Sequence, residues 1–293
     1  MSGPAADESA ADPADKAGAI AIVCGAGGFP AAVAEAAQAG GQPVLLVGLR
    51  GIADEAAIGR FPHEWVRLGE IGGLLKLLKS RNIARMAFVG GLTRPELSDL
   101  RLDWGAVKRL PEIARALKGG DDHTLRGIIG IFESEGLRVV GVDAIAPALL
   151  AGAGLLAGPT PEAQARADMA QALALLDALS AFDCGQGAVV ANGRVIAVEA
   201  AEGTDAMLAR VAELRRNGRF RAKGAAGVLV KAPKRGQDLR IDLPAIGPAT
   251  LAAAKDAGLA GVAVSAGRVL VLDKAASVAA ARANGLFLWG VAP

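Results

Sequence analysis

Residues 18–24, GAIAIVC, form an unbroken apolar run of strand length, and the turn Gly25-Ala26-Gly27-Gly28-Phe29-Pro30 follows it directly. The alanine-rich stretch 31–39 then reads as a helix ending at Gly40-Gly41, and Pro43 to Val47 reads as a second apolar strand. Strand, glycine turn, helix and strand in that order begin a parallel α/β sheet. The grammar continues with Ile71, Leu74, Leu75 and Leu78 at helical spacing and a strand over Met86 to Val89. Leu125, Ile128, Ile129 and Phe132 mark another amphipathic helix, closed by Gly136 before the strand Leu137 to Val140. The expected fold class is α/β, with a Rossmann-like parallel-sheet domain over 18–148.

Residues 149–162, LLAGAGLLAGPTPE, carry glycines, two prolines and no charge before Glu162, and read as a linker. Beyond a helix with Met169, Leu173, Leu176 and Leu179 on one side, the pattern changes. Val189 to Ile196 reads as two strands around Asn192-Gly193, a strong hairpin signal. Thr204 is placed to cap a helix through Met207, Leu208, Val211 and Leu214. A short apolar strand, Val228 to Val230, follows, then a helix from Pro248 and a second expected hairpin around Ala266-Gly267. A helix at 274–284 and the run Leu286 to Trp289 close the chain. Hairpins mixed with helices predict a C-terminal α+β domain with a mixed sheet over 163–293.

Composition removes several function classes. The chain has 293 residues, room for two domains with cores of their own. No apolar run reaches the roughly 20 residues that span a bilayer. Residues 1–17 carry Asp7, Glu8, Asp12 and Asp15 without a basic start, and read as a disordered tail, not a signal peptide. A cytoplasmic location is expected. With 32 basic and 30 acidic residues and no Tyr, the chain has neither the charge nor the stacking surface of a nucleic-acid binder, so nucleic acid is not an expected partner. Two cysteines and two histidines are too few for a Cys/His zinc site with a histidine left for catalysis. Metal chemistry therefore rests on carboxylates, which suit hard ions such as Mg²⁺ or Mn²⁺.

Five clusters could carry chemistry, and each also has a plain structural reading. Gly25, Ala26 and Gly27 sit where backbone N–H groups could meet a phosphate, or where close packing needs glycine; the third glycine of a dinucleotide fingerprint is replaced by Pro30. Thr93 and Arg94 follow a predicted strand at the edge where open α/β sheets bind ligands, or form an exposed turn. Asp121, Asp122 and His123 could share a cation and position water, or cap a helix; capping accounts for Asp121 and leaves Asp122 the better ligand candidate. Glu199, Glu202, Thr204 and Asp205 lie where a strand runs into a helix, suited to a magnesium site or to solvation and capping. Arg219, Arg221 and Lys223 precede the strand Val228 to Val230, while Lys231, Lys234 and Arg235 follow it, with Gln237 and Asp238 next. Cations at a strand end with carboxylates nearby match a pyrophosphate, and equally a protected strand edge.

Taken together, EAAEGTD at 199–205, GVLVK at 227–231, KRGQDLRIDLPAIG at 234–247 and GGDDHTL at 119–125 resemble the LpxI-type UDP-2,3-diacylglucosamine pyrophosphatases of lipid A biosynthesis. The resemblance runs over nearly the whole chain after the tail. It implies hydrolysis of the substrate's pyrophosphate to UMP and 2,3-diacylglucosamine 1-phosphate (lipid X), dependence on Mg²⁺ or Mn²⁺, and a substrate held between two domains. It further implies a homodimer in peripheral contact with the cytoplasmic face of the inner membrane. Carried onto this chain, Glu202 and Asp205 become candidates for metal binding or water activation, with Asp122. Lys231, Lys234 and Gln237 would contact phosphates, and Gly25, Ala26, Gly27, Thr93, Arg94, Gln186, Glu199 and Thr204 would also line the substrate site. One departure stands out: before GVLVK an acidic residue is expected, and Ala225 stands there, which would impair turnover. The rival readings are a nucleotide-sugar or lipid binding protein without chemistry, and an NAD-dependent oxidoreductase. Against the latter, the second strand runs into Gly48-Leu49-Arg50 without the acidic residue a ribose requires.

Overall fold

The computed structural model describes residues 18–92, 103–116, 121–182, 184–240 and 243–292. Thr93, Arg94 and the side chain of Asp122 lie outside the described residues, as does the N-terminal segment 1–17. The chain divides into two compact units, one holding the described residues up to Ile113 with Ile128–Ile145, the other Ala114–Gly127 and everything from Ala146.

The first unit is built on a five-stranded parallel sheet of β1 (Ile20–Cys24), β2 (Val44–Leu49), β3 (His63–Val66), β4 (Arg85–Val89) and β5 (Arg138–Val139), ordered β3-β2-β1-β4-β5. β1 is central and every one of its residues is buried, which is why its sequence is apolar without alternation. α1 (Phe29–Ala39) follows, with Pro30 in its first turn, where the missing N–H costs nothing. It buries Ala31, Val33, Ala34 and Ala37. The edge strand β3 has no counterpart among the sequence-based expectations. Its HEWV is only partly buried and shows neither an apolar run nor clean alternation.

α2 (Glu55–Ile58), α3 (Ile71–Ser80), α4 (Trp104–Val107), α5 (Leu110–Ala116) and α6 (Asp121–Glu133) follow in chain order, with the short α7 (Val142–Ile145) after β5. Asp103 ties α4 to α3. Its carboxylate caps α4 through Ala106 N at 2.8 Å and also accepts from Gly72 N and Gly73 N in the first turn of α3, at 3.2 and 2.7 Å. Two helix N-termini thus share one anion.

The second unit carries a six-stranded mixed sheet of β6 (Gly154–Ala157), β7 (Gly187–Ala191), β8 (Arg194–Val198), β9 (Val228–Lys231), β11 (Gly261–Ser265) and β13 (Phe287–Val291), ordered β6-β13-β11-β9-β7-β8. β9, β11 and β13 run parallel, while β6, β7 and β8 are each antiparallel to their inner neighbour. α8 (Ala163–Leu179) covers one face, through Met169, Ala172 and Leu176 against Ala188, Val190, Val228 and Val230. α9 (Gly203–Arg216), α10 (Pro248–Asp256) and α11 (Lys274–Ala283) cover the other, where Met207, Leu208, Val211 and Leu251 meet Val189, Leu229, Val262 and Val264. The mixed sheet and the parallel sheet together make the α/β fold expected from the sequence.

The hairpin at Asn192-Gly193 forms as expected, with both residues at positive φ (51° and 76°). Asp168, 1% exposed, locks it by accepting from Asn192 N and Gly193 N at 2.9 and 2.8 Å. The second expected hairpin does not form. Ala266-Gly267 is a turn after β11, but β11 is already paired on both sides, so it offers no edge to the next strand. β12 (Leu270–Val271) instead leaves the sheet and pairs in parallel with β10 (Ala245–Ile246). The segment 149–162, expected as a linker, supplies the edge strand β6. Among the described residues, no helix is long and apolar enough to cross a membrane.

Asp103 gives this fold a measurable pH dependence. Burial pushes its carboxyl up, but the backbone N–H groups of Ala106, Gly73, Gly72 and Gly105 outweigh that and hold it below its ordinary value. A carboxyl lowered in the folded state adds stability above the unfolded value of about 4 and loses it as pH falls through the folded value. Asp103→Ala is therefore expected to lower stability by about 1–2 kcal/mol near neutral pH. Urea unfolding should show the gap between variant and parent narrowing as pH falls below the ordinary carboxyl value of about 4, and a gap that stays constant would exclude this role.

Candidate active site

The C-terminal edge of β9 in the second sheet gathers the polar groups. Lys231 ends β9 and stands opposite Gly187, the first residue of β7. On the other side of β7, Glu199 follows β8 and donates its N–H to Gly187 O at 2.8 Å. Lys231, Gly187 and Glu199 thus form a row across three neighbouring strands. Residues in register share a face of the sheet. Here it is the face of α9, since Leu229, Val189 and Ala197, two residues away on each strand, pack against Met207, Leu208 and Val211.

Glu199 is 8% exposed and Lys231 6%, so both charges are nearly out of water. Thr204, in the first turn of α9, joins them. Its Oγ1 donates to Glu199 Oε1 at 2.8 Å and accepts from Lys231 Nζ at 2.7 Å. Thr204 was expected to cap α9, but Glu202 holds the N-cap position and the Thr204 hydroxyl is spent on this chain of bonds. Glu199 Oε2 is buried with no hydrogen-bond partner among the described residues. Two glycines leave it room. A Cβ at Gly187 would stand 2.6 Å from that oxygen, and one at Gly185 would stand 2.5 Å from Glu199 Cγ.

The loop after β9 is anchored at several points. Ala232 N donates to Gln186 O at 3.0 Å, and Lys234 N donates to Gln237 Oε1 at 2.8 Å. Arg235 N donates to Ser180 Oγ at 2.9 Å, and its guanidinium pairs with the Asp177 carboxylate. Asp238 takes a forked pair from Arg240, at 2.9 and 2.7 Å. These bonds hold its carboxyl below the usual range, against the opposite push of burial. Gln186, Lys231, Lys234 and Gln237 therefore lie on or next to one sheet edge.

Within the second unit, Glu202 and Asp205 stand apart from this row. Glu202 is held at the surface, with Oε1 on Arg210 Nη2 at 2.7 Å and Oε2 on Ala200 N at 3.2 Å. Asp205 is exposed in the first turn of α9. Among the described residues no group of three Asp, Glu, His or Cys side chains converges. Ala225 is exposed at the N-terminal approach to β9, the strand end opposite Lys231. In the first unit, Gly25 N and Ala26 N are engaged by Val89 O and Gly91 O, at 2.8 and 2.7 Å, and not left for a phosphate. A Cβ at Gly25 would stand 2.5 Å from Gly91 O, so packing requires that glycine. Gly27, at φ 86°, borders open space. Cys24 has its thiol pushed up to about 12 by burial, which disqualifies it as a nucleophile near neutral pH.

Sequence reading passed over Gly185 and Gly187, whose spacing of two at the entry to β7 could have pointed to a close neighbour there. It also passed over Asp177 and Ser180, which carry no local signal because they meet Arg235 from far along the chain.

Comparison with known proteins finds two family domains along the chain. The LpxI N-terminal domain matches residues 19–149, and the LpxI C-terminal domain matches residues 152–289. The chain is also 40% identical, over 274 residues, to the UDP-2,3-diacylglucosamine pyrophosphatase LpxI of Caulobacter vibrioides, covering 94% of this chain and 98% of that protein. With both domains matched in order and a relative this similar along its whole length, the chain belongs to the LpxI family.

Proposed function

We propose that this protein hydrolyses the pyrophosphate bond of UDP-2,3-diacylglucosamine, releasing UMP and 2,3-diacylglucosamine 1-phosphate. The observation that carries the reading is the buried Lys231, held by Thr204 at the C-terminal edge of a parallel strand. That edge is where α/β sheets present ligand-binding groups, and a buried ammonium there suits charge developing on a phosphoryl oxygen. The similarity to the Caulobacter pyrophosphatase supports the choice of substrate. Lys234, Gln186 and Gln237 share the same edge and complete the proposed phosphate contacts. The reading keeps Ala225, exposed at the N-terminal approach to β9, as the position where a missing acidic residue would slow turnover.

The proposal includes Mg²⁺ or Mn²⁺. Glu202 and Asp205 are the carboxylates that would help to hold it beside the substrate's phosphate oxygens. Such an ion would neutralise charge on those oxygens. The proposal also includes a homodimer through the second domain, whose sheet ends on the edge strand β8, and peripheral contact with the inner membrane, where a diacylated substrate resides.

Incubated with UDP-2,3-diacylglucosamine and Mg²⁺, the purified protein should yield UMP and the acylated sugar phosphate by mass spectrometry. Lys231→Met should lower kcat/KM by roughly 100-fold or more, the scale of losing one preorganised charge donor. Binding without product would favour the ligand-binding reading, and neither binding nor product would exclude the substrate. A chelator should abolish turnover and added Mg²⁺ or Mn²⁺ should restore it; turnover indifferent to chelation rules out the metal. Sedimentation velocity should give a dimer, and anionic vesicles should carry the protein down on centrifugation; a monomer, or protein left in the supernatant, would remove that element of the proposal.

A further inference from the structure

The hydrogen bonds around Thr204 have a direction. An ammonium only donates and an ionised carboxylate only accepts, so a hydroxyl between them can satisfy both with its single proton and one lone pair. By giving its proton to Glu199 Oε1, Thr204 turns a lone pair toward Lys231 Nζ. The carboxylate that fixes this direction is 8% exposed, and its other oxygen has no partner among the described residues. A buried carboxylate with an unpaired oxygen is unfavourable unless positive charge stands close by. Gly185 and Gly187 give up their side chains to admit it, since a Cβ at either position would overlap it. Neither glycine has a positive φ, so their conformation does not demand glycine; the glutamate does.

We propose that Glu199 is a positioning residue for Lys231 and acts on it through the hydroxyl of Thr204. Glu199 supplies the negative charge and the acceptor, Thr204 transmits the direction, and Lys231 is held charged and oriented at the end of β9. The role in turnover rests on the function proposed above, in which Lys231 meets the pyrophosphate; the positioning itself does not.

Shape-preserving variants separate this from simple packing. Thr204→Val keeps the volume and removes the hydroxyl, Thr204→Ser keeps the hydroxyl and removes the methyl, and Glu199→Gln keeps the shape and removes the charge. Thr204→Val and Glu199→Gln should each lower kcat by roughly 10- to 100-fold, the scale of one hydrogen bond to a charged group, with a smaller change in KM. Thr204→Ser should recover most of the loss. In the Thr204→Val background, Glu199→Gln should cost less than it does in the parent, because its route through the hydroxyl is already cut. A readout independent of turnover is the rate at which acetic anhydride modifies Lys231, followed by peptide mass spectrometry. That rate should rise by about tenfold in Thr204→Val and in Glu199→Gln, as one charged hydrogen bond is lost. Independent multiplication of the two kinetic effects, a serine variant as impaired as the valine one, or unchanged Lys231 labelling would each overturn the proposal. If the parent protein does not hydrolyse the substrate but labelling responds as stated, the function fails and the positioning role stands.

Discussion

A lysine ammonium loses most of its hydration when it is buried, and no amount of apolar packing replaces it. At the end of β9 a threonine hydroxyl backed by a glutamate supplies part of that replacement, and this small chain of bonds constrains much of the second domain. β7 must lie between β8 and β9 in a register that sets Gly187 level with both charges. Position 187 must be glycine, because a side chain there would occupy the carboxylate's place. α9 must begin within reach of the row, so Thr204 sits in its first turn instead of capping it. Each requirement is local, but all are satisfied only when hairpin, helix and central strand assemble together.

The loop after β9 extends the same logic outward. Its backbone leaves the sheet, so its polar groups need partners elsewhere, and it finds them in Gln186, Gln237 and Ser180. The two arginines of the loop are steadied by carboxylates, Arg235 by Asp177 and Arg240 by Asp238. Exposed pairs of this kind contribute little to stability, but a forked arginine–carboxylate pair fixes direction well. The result is a segment rich in cations that is held by many short contacts, which is what a site for a doubly charged pyrophosphate needs in order to avoid ordering a loose loop on binding.

Much of the fold was legible in the sequence for physical reasons. Buried parallel strands such as β1 and β2 are apolar throughout, and Asn192-Gly193 has the conformational freedom its hairpin needs, so composition alone carries the information. β3 was not legible because an edge strand is half exposed and shows no clean pattern. The pairing of β12 with β10 was not legible either, since two-residue strands have no periodicity and their partners are remote. For the site, residue types and clustering pointed to Glu199, Thr204, Lys231, Lys234 and Gln237. They did not separate Glu199, which is buried, from Glu202, which pairs with Arg210 at the surface. That difference is set by strand parity after β8. Glu199 continues the inward face of Ala197, and Glu202 has already left the strand.

Glycine shows the same limit from the other side. The glycines following β1 looked like the phosphate-binding feature, because a turn at a helix N-terminus is where such sites occur. In the structure Gly25 and Gly90 let two backbone segments touch: a Cβ at Gly90 would stand 2.9 Å from Ala26 O, and the N–H groups of Gly25 and Ala26 are consumed in that pairing. Gly185 and Gly187 carry no turn signature and sit in an ordinary approach to a strand, yet they create the room for a buried charge. A glycine in a strand forfeits packing and adds entropy to the unfolded chain, so its presence asks what occupies the space its side chain would have filled. Here the occupant is a carboxylate, and through Thr204 that carboxylate governs the lysine at the edge of the sheet.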